Sequence, residues 1–362
     1  MPVPKRILTC NSPYDQGGMG QHFAHLIEKF RQEGALGHYY TTGIQSDDPE
    51  GTKVTVPGAS LLPYTPVRWW PAWRNHMNNE LFDARVAKQL KLQGATYVMG
   101  FAGKALRTFR RSHALGAQRL ELVVPNSHVS NVYTLHQRAH EETGIHDSWL
   151  NKAQVQKTLR EYELADYIYV HSNYVAETLI ARGVPESKLR FERLPIDARF
   201  KPPAERLTDG RFSVVYVGRV DATKGIPLLI EAFRRLNVPG ASLRIMGGWS
   251  TRAMRQYMER VLTGDDRIYV EPGDPLPVLQ KADVFVHPSY EDGFGYAPAE
   301  ALACGVPVIV TEDTGMKEYV VEGRNGYVVP TGSVEALVKR LQTIYENPLS
   351  ATTSLVPVRY EA

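Results

Sequence analysis

The sequence predicts an α/β protein of two domains, each built on a parallel sheet covered by helices. The chain has 362 residues, which is more than one typical domain needs. Short apolar runs alternate with amphipathic stretches, and this pattern restarts after a segment rich in proline and polar residues, LPIDARFKPPAERLTDG. We therefore expect an N-terminal domain at residues 1–193, a C-terminal domain at residues 194–345 and a tail at residues 346–362.

Composition narrows the class of protein. Hydrophobic residues make up 43% and charged residues 22%, as in soluble globular proteins. The net charge of +3 is too small for nucleic-acid binding, so nucleic acid is not an expected partner. Cys10 and Cys304 fit core thiols in a reducing compartment, and no clustered spacing suggests a metal site. The apolar runs are too short for a signal peptide or a membrane span, so a cytoplasmic location is expected.

In the first half, four short apolar runs predict strands, at Arg6–Thr9, Tyr97–Phe101, Leu120–Val124 and Tyr167–His171. Amphipathic spacing predicts helices between and after them, near Gln21–Gln32, Lys104–Leu115, Asn151–Leu164 and Tyr174–Arg182. Strand and helix alternate, which is typical of parallel sheets.

The second half repeats this alternation. The predicted elements are, in order, Phe212–Val217, Leu228–Leu236, Ser242–Met246, Arg252–Leu262, Val284–His287, Pro298–Cys304, Val306–Val310 and Val334–Tyr345. Each short β-branched run reads as a strand and each longer amphipathic run as a helix.

A glycine-rich turn follows the first predicted strand. Gly17, Gly18 and Gly20 precede a helix, and glycines in such a turn let backbone amides approach a phosphate at the helix N-terminus. The spacing is not GxGxxG, which counts against a nicotinamide dehydrogenase. A purely structural turn explains the glycines equally well.

Two cations follow the first strand of the second domain. Arg219 and Lys224 lie on the loop after FSVVYV, and ligands of open α/β sheets bind at the carboxyl ends of the strands. Such a pair could clamp a diphosphate, since Arg offers a planar fork and Lys a point charge. Two solvated surface charges are the alternative.

The most informative segment is HPSYEDGFGYAPAEALACGVPVIVTEDTGMKEYVVEGRNGYVVP. The acids Glu291 and Asp292 precede a glycine turn, and Glu300 lies in the helix that follows, eight positions after Asp292. Two carboxylates can thus bracket a polyhydroxylated ligand, with backbone amides for a phosphate between them. Acidic capping of a helix would explain Asp292 but not the whole string.

This segment resembles the acidic E-x7-E signature of the retaining GT-B glycosyltransferases (glycosyltransferase family 4, glycosyl transferases group 1). The resemblance implies a GT-B fold, in which two Rossmann-like domains face each other across a donor-binding cleft. It also implies that the first acid contacts the donor sugar and the second holds the ribose. The first position is Asp292 instead of Glu, and Glu291 is adjacent. Either of these acids is therefore a candidate for the sugar contact.

The resemblance extends to other segments. The family's GGxG loop is similar to Gly17–Gly20, its phosphate clamp to Arg219 and Lys224, and its second-domain ending to GMKEYVVEGRNGYVVP. The base is expected on backbone groups near Gly273. Together these give the expected donor-binding residues, namely Gly17, Gly18, Gly20, Arg219, Lys224, Gly273, Asp292, Gly293, Phe294, Gly295, Tyr296 and Glu300.

His128 follows the strand Leu120–Val124, where the family often carries a histidine that faces the donor sugar. We expect it on the first-domain wall of the cleft, opposite the Asp292–Gly295 loop, as a catalytic residue together with Asp292, Arg219 and Lys224. A structural role is the alternative. The resemblance implies retention of configuration, with the leaving diphosphate helping to deprotonate the acceptor, and neither a metal nor a cofactor.

Two further segments have several interpretations. VRWWPAWRNHMNNELF carries Trp69, Trp70 and Trp73 among basic residues, which suits a membrane interface, a glycan-stacking surface or ordinary core packing. The acids between Glu141 and Asp147 are expected in a solvated loop, with acceptor binding as the alternative.

The sequence thus predicts a glycosyltransferase whose partners are a nucleoside-diphosphate sugar and a glycan, lipid-linked or small-molecule acceptor. Peripheral contact with the inner face of the membrane is a further option. A phosphorylase or nucleotide-sugar epimerase on the same fold is one alternative. A non-catalytic subunit that only binds sugar nucleotides is another.

Overall fold

The computed structural model describes residues 3–44, 48–56, 64–65, 70–92, 96–205 and 210–349. The chain divides into two units. Unit 1 comprises Met1–Tyr133 and Trp149–Pro195, and unit 2 comprises Thr134–Ser148 and Ile196–Ala362. Residues 194–205, within the segment expected to link two domains, contain no helix or strand.

Unit 1 is built on parallel strands. Those of the described residues are β1 (Lys5–Pro13), β2 (Leu36–Gly43), β3 (Gly51–Lys53), β4 (Thr96–Phe101), β5 (Arg119–Val123), β6 (Tyr167–Val170) and β7 (Leu189–Phe191). The helices of this half of the chain are α1 (Gly17–Gln32), α2 (Pro71–Gln89), α3 (Leu106–Ala114), α4 (Val129–Thr143), α5 (Lys152–Leu164) and α6 (Asn173–Ile180), and a short 3-10 turn covers Glu186–Lys188. Helix α4 begins in unit 1 and ends in unit 2.

The strands of unit 1 lie in the order β3-β2-β1-β4-β5-β6-β7, all parallel where they pair. Successive residues of β1 serve opposite faces, because side chains alternate along a strand. Ile7 packs in a cluster with α2 and α3, whereas Leu8 packs with Phe23 of α1. Strand order reverses direction between β1 and β4, which is the topological switch point of a doubly wound sheet.

Unit 2 contains the strands β8 (Ser213–Val217), β9 (Ser242–Met246), β10 (Ile268–Glu271), β11 (Val284–His287), β12 (Val308–Thr311) and β13 (Gly326–Val329). Its further helices are α7 (Ile226–Arg235), α8 (Arg252–Gly264), α9 (Leu276–Leu279), α10 (Tyr296–Ala303) and α11 (Val334–Glu346), with a 3-10 turn at Gly315–Tyr319. The sheet order is β10-β9-β8-β11-β12-β13, again parallel. Its switch point lies between β8 and β11.

The predicted strands and helices all occur, with ends that move by a few residues. Several elements were not predicted, and α2 and α4 show why. The buried positions of α2 include Asn79 and Asp83, and α4 buries His136 and His140. Polar residues on the buried face hide the apolar period that marks a helix.

The division of the chain differs in one respect from two continuous domains. The end of α4 and the residues after it, Thr134–Ser148, group with unit 2. Leu135, Ala139 and Ile145 pack in the core of that unit with residues of β8 and α7. None of the helices in the described ranges is long and apolar enough to cross a membrane.

Candidate functional site in unit 2

The predicted charged residues of unit 2 meet at its switch point. Arg219 and Lys224 lie on the loop between β8 and α7, and Asp292 lies between β11 and α10. The two loops leave neighbouring parallel strands at their carboxyl ends, where open α/β sheets bind ligands. The loops are also bonded directly, because the Tyr290 N–H donates to the Thr223 carbonyl at 2.9 Å.

A buried aspartate shapes the first of these loops. The Oδ1 atom of Asp221 accepts bonds from the Thr223 hydroxyl at 2.7 Å and from the Lys224 N–H at 2.9 Å. Gly225 follows with φ +71°, and a Cβ there would overlap the Pro288 carbonyl oxygen. Only glycine meets both demands, so the close approach of the two loops depends on this residue.

Lys224 and Asp292 form the central ion pair. Lys224 Nζ donates to Asp292 Oδ2 at 2.7 Å and to the Glu291 carbonyl at 3.4 Å. An ammonium group has three N–H donors, so one remains for a phosphate oxygen. Both side-chain bonds to Asp292 end on Oδ2, which leaves Oδ1 for a ligand hydroxyl.

His287, the last residue of β11, is the second partner of Asp292. Its Nε2 lies 3.1 Å from Asp292 Oδ2, and its Nδ1 is buried without a hydrogen-bond partner among the described residues. Burial lowers the pKa of His287, more than Asp292 raises it, so the ring is neutral with the proton on Nε2. Burial alone would raise the pKa of Asp292, but Lys224 and His287 outweigh it and lower that pKa. Asp292 is therefore a firmly ionised carboxylate.

Arg219 is more accessible. Its side chain is 48% exposed, and it contacts Asp221 Oδ2 at 3.2 Å. A half-exposed guanidinium held by one carboxylate keeps most of its N–H groups for an anion. The site thus holds one oriented ammonium and one open guanidinium.

The glycine turn from Gly293 to Gly295 leads into α10, whose N-cap is Gly295 at φ +87° without a side-chain cap. Asp292 bonds Lys224 and His287 instead, so the alternative that it caps this helix is wrong. The amides at the start of α10 have no side-chain acceptor from the cap residue, which suits a phosphate or hydroxyl ligand. Phe294 is buried against Tyr296, with ring centroids 5.4 Å apart, and fixes the turn.

Glu300 lies one turn further along α10. Burial raises the pKa of its carboxyl to about 7, Arg199 opposes the shift, and Asp197 and Asp274 add to it. Arg199 itself bonds Asp274 at 3.0 Å. The carboxyl is therefore poised to accept hydroxyl hydrogen bonds, which favour its charged form.

Gly273 follows β10 at φ +153° and is exposed. It therefore stands at the carboxyl edge of the sheet, on the same edge as the loop after β8. Glu291, the neighbouring acid, is almost completely buried. Of these two adjacent acids, Asp292 is the one whose carboxylate is bonded to Lys224.

In unit 1 the glycine turn after β1 is part of the helix. Helix α1 begins at Gly17 itself, so Gly17, Gly18 and Gly20 form its first turn instead of preceding it. A Cβ on Gly20 would overlap the Pro13 carbonyl oxygen, so this glycine has a structural reason of its own. The N-cap, Gln16, gives no side-chain cap, so the first amides of α1 have no side-chain acceptor from the cap residue.

His128 follows β5 and lies at the start of α4. Its Nδ1 accepts the Ser130 N–H at 3.2 Å, its own N–H donates to Thr178 Oγ1 at 2.9 Å, and its ring packs on Tyr162. Burial lowers the pKa of His128 to about 4, with a smaller contribution from Arg182. The imidazole is neutral near pH 7, and it caps α4.

Two expectations need correction. Asp147 is only 4% exposed and belongs to the interior of unit 2, and Glu141 and Glu142 lie in α4, so a solvated loop is wrong for this acidic stretch, although Glu141 is exposed. Trp70 and Trp73 are 56% and 50% exposed, so core packing is wrong for them. Trp69 lies outside the described residues.

Two residues near the site escaped the sequence analysis, namely His287 and Asp221, and Asp147 was noted there only as part of an acidic stretch, without a link to this loop. His287 and Asp221 lie within five residues of predicted ones, and their position at strand ends was the available signal. Asp147 gave none, because it is distant in sequence from the loop that it contacts. The two cysteines are free and buried, as expected.

A separate cavity of about 610 Å³ lies at the opposite, amino-terminal edge of the unit 1 sheet. Its lining comes from the starts of β1 and β4, from β2 and β3 and from the end of α2, and includes Lys5, His38, Tyr40, Thr52 and Lys91. None of the predicted site residues lines it.

Two parallel doubly wound sheets in one chain define the class of the fold, and solved structures agree. The structure superimposes on sucrose-phosphate synthase from Thermosynechococcus elongatus with a TM-score of 0.77 at 20% identity, covering 97% of this chain and 92% of that one. The glycosyltransferase WaaG gives a TM-score of 0.68 at 17% identity, covering 94% and 90%. The fold is that of the GT-B proteins.

Residues 197–355 match the family model described as glycosyl transferases group 1. The capsular polysaccharide biosynthesis glycosyltransferase CapM of Staphylococcus aureus is 28% identical over 162 residues, 43% of either chain. The glycogen synthase of Mycobacterium tuberculosis is 26% identical over 359 residues, 92% of this chain and 84% of that one. The alignments with the first curated relatives span about half of their length or less, 43% and 48%.

Proposed function

We propose that the protein is a glycosyltransferase that moves a sugar from a nucleoside-diphosphate sugar to a glycan, lipid-linked or small-molecule acceptor. The observation that carries this proposal is the Lys224–Asp292–His287 cluster at the switch point of unit 2. It joins a cation for a phosphate and an ionised acid for hydroxyl groups in the part of the chain that matches the family. Packing of the core does not require either the Lys224 ammonium or the Asp292 carboxylate at this position.

In this proposal the diphosphate lies on Arg219, Lys224 and the first amides of α10. Transfer breaks the bond between the anomeric carbon and the diphosphate oxygen, so negative charge grows on the leaving group. Preorganised cations stabilise that charge without reorganisation, at several kcal/mol per group. Gly17, Gly18 and Gly20 are proposed to add backbone amides to the donor site.

We assign Asp292 Oδ1 to a hydroxyl of the donor sugar and Glu300 to the ribose, with the base on backbone groups near Gly273. Asp292 is preferred over Glu291, since its carboxylate is the one bonded to Lys224. His128, neutral through its lowered pKa, is proposed to donate from Nε2 to the sugar. It does not act as a general base in this assignment.

Retention of configuration is the proposed outcome. The acceptor oxygen attacks the anomeric carbon on the face that the diphosphate leaves, and its proton passes to the leaving phosphate oxygen. This chain's residues then have to orient donor and acceptor and neutralise charge. One support is the family match. The other is that Asp292, whose carboxylate is bonded to Lys224 and His287, is not needed as a base when the leaving phosphate takes the proton.

UDP-sugars are the first donors to test, because a similar structure of Anabaena HepE is described in complex with UDP and glucose. Polysaccharide precursors are the first acceptors, because CapM is named for capsular polysaccharide biosynthesis. Membrane contact by Trp70 and Trp73 is a further proposal, which rests on their exposure.

The test is a panel of UDP-, GDP- and ADP-sugars, each with and without candidate acceptors, followed by nucleotide release and by NMR of the product anomer. Acceptor-dependent release with an unchanged anomeric configuration supports the proposal. Binding without release would instead indicate a non-catalytic sugar-nucleotide-binding subunit. A pyridoxal absorbance band in the purified protein would indicate a phosphorylase.

A further inference from the structure

Asp147 lies in the short segment after α4 and reaches the loop that carries Arg219 and Lys224. Its Oδ2 atom accepts the Ala222 N–H at 2.9 Å. Ala222 is fully buried in the middle of that loop, between Asp221 and Thr223. This contact links residues 75 positions apart and lies entirely within unit 2.

The position of Asp147 is itself fixed by α4. Ser148, the next residue, bonds His136 Nδ1 through its hydroxyl at 2.8 Å and donates its N–H to His140 Nε2 at 3.3 Å. Burial lowers the pKa of His136 to about 3 and that of His140 to about 4, so both rings are neutral near pH 7. The segment is thus held by two uncharged buried side chains.

The buried carboxyl group of Asp147 lowers the stability of the fold. Its Oδ1 is buried and has no hydrogen-bond partner within the described part of the chain. Burial and, to a smaller extent, the nearby Asp221 carboxylate raise its pKa to about 7, although the Ala222 N–H and Arg219 act in the opposite direction. Buried polar groups with unused bonding capacity destabilise a fold, and an apolar residue would avoid this.

We propose that Asp147 is a positioning residue for the 219–224 loop. It fixes Ala222 from one side, while Asp221 fixes Thr223 and Lys224 from within the loop. Together the two aspartates set where Arg219 and Lys224 present their charges. The part of this inference that concerns the diphosphate rests on the proposed function, whereas the anchoring of the loop does not.

A second consequence follows from charge. A diphosphate on Arg219 and Lys224 adds negative charge close to Asp221 and Asp147, which disfavours the ionised form of Asp147. Protons should therefore be taken up at Asp147 when a nucleoside diphosphate binds near neutral pH. The facing groups Asp221, Arg219, His136 and His140 are unchanged in a variant that replaces Asp147 alone.

Three variants separate these effects. Asp147→Ala removes the anchor, Asp147→Asn keeps an oxygen acceptor for the Ala222 N–H but cannot titrate, and Glu141→Gln removes one exposed charge from the same segment as a control. Hydrogen exchange at the Ala222 amide reports the anchor without any ligand. Calorimetry with UDP at pH 7, in two buffers of different ionisation enthalpy, reports affinity and proton uptake.

We expect Asp147→Ala to speed exchange at Ala222 and to raise the Kd of UDP by about tenfold, as for loss of one oriented contact. Asp147→Asn should keep slow exchange and a Kd within about threefold of the parent, but take up fewer protons than the parent. Glu141→Gln should match the parent in all three readouts.

Unchanged exchange and unchanged UDP affinity in Asp147→Ala would overturn the positioning role. If Asp147→Ala fails to fold, Asp147→Ser, whose shorter side chain does not reach the Ala222 N–H, takes its place, and unchanged exchange at Ala222 in that variant would overturn the positioning role; equal proton uptake by the parent and Asp147→Asn would overturn only the proposed protonation. If the parent binds neither UDP nor the other nucleoside diphosphates, the proposed function fails, and exchange at Ala222 in Asp147→Asn and Asp147→Ala still decides whether Asp147 holds the loop.

Discussion

The sheets of the two units share a strand order but differ in the residues at the carboxyl ends of their central strands. In both units the strand order reverses next to the first strand, and a loop leads from that strand into a helix. In unit 1 the helix begins with glycines and an uncapped N-terminus. In unit 2 the corresponding loop carries Arg219 and Lys224, and the neighbouring strand brings Asp292 and His287 to it.

Unit 1 also has a lysine after a central strand, but its environment differs from that of Lys224. Lys104, after β4, is buried beside the Met19 sulfur, and burial lowers its pKa. Lys224 is instead held by an ionised acid at 2.7 Å. Both units thus have a helix N-terminus without a side-chain cap at the switch point, whereas in unit 2 paired side chains from two loops also meet there, and we propose that this pairing is what binds a charged ligand.

The largest expected effect comes from Lys224. Lys224→Ala should lower kcat/KM for the donor by on the order of 10²-fold, because it removes a charge-assisted phosphate contact. Steady-state kinetics measure this effect, and Lys339→Ala, which removes an exposed lysine of the same unit, is the control. Equal kinetics in Lys224→Ala and the parent would contradict the claim that the paired side chains of unit 2 bind the charged ligand.

His128 tests the contribution of unit 1. His128→Ala should lower kcat more than it alters the donor KM, and it should also destabilise the protein by about 1 kcal/mol, because it removes the cap of α4. Asn is a good N-cap, so His128→Asn should restore stability fully and turnover in part. The two variants are compared by thermal unfolding and kinetics, and parental turnover in His128→Ala would leave this histidine a cap alone.

Glu300 should give a smaller effect that depends on pH. Its pKa of about 7 means that the carboxyl gains its charge between pH 6 and pH 8, and hydroxyl bonds to the carboxylate favour that form. UDP affinity of the parent should therefore rise with pH relative to Glu300→Gln, with a difference of about tenfold at pH 8. Calorimetry across this range measures it. Parallel pH profiles of the two proteins would refute the ribose assignment.

The smallest effect is expected at the exposed tryptophans. Replacing Trp70 and Trp73 together by Ala should weaken co-sedimentation with anionic vesicles severalfold and leave donor kinetics unchanged, since interfacial tryptophans add apolar contact area. Leu81→Ala, at an exposed apolar position of α2, is the control. Equal sedimentation of all three proteins would remove the membrane interpretation.

The sequence predicted most of the sheet, because β-branched runs bounded by turns keep a clear pattern. It missed helices whose buried positions are polar, such as His136 in α4 and Asp83 in α2, since periodicity depends on apolar residues. It also singled out Asp292 and Glu300 as candidate site residues from their spacing, because a local motif needs no tertiary information.

Other parts of the site could not be derived this way. The charged composition from Glu141 to Asp147 suggested a solvent-exposed segment. The hydrogen bond between Asp147 and the Ala222 N–H is visible only in the folded chain. His287 reads as the end of a strand until its Nε2 is seen 3.1 Å from Asp292. Such residues act through contacts between distant segments, and their chemistry becomes visible only with the fold.

The most direct test of the account is where a nucleoside diphosphate perturbs the backbone. Titration of the isotope-labelled protein with UDP, or with whichever nucleoside diphosphate of the panel binds, should shift the amides of residues 218–225 and 292–296 most, and Lys224→Ala should reduce these shifts at equal ligand concentration. Binding that leaves both loops unperturbed, with its largest shifts elsewhere in the chain, would contradict the assignment of the diphosphate site to the switch point of unit 2.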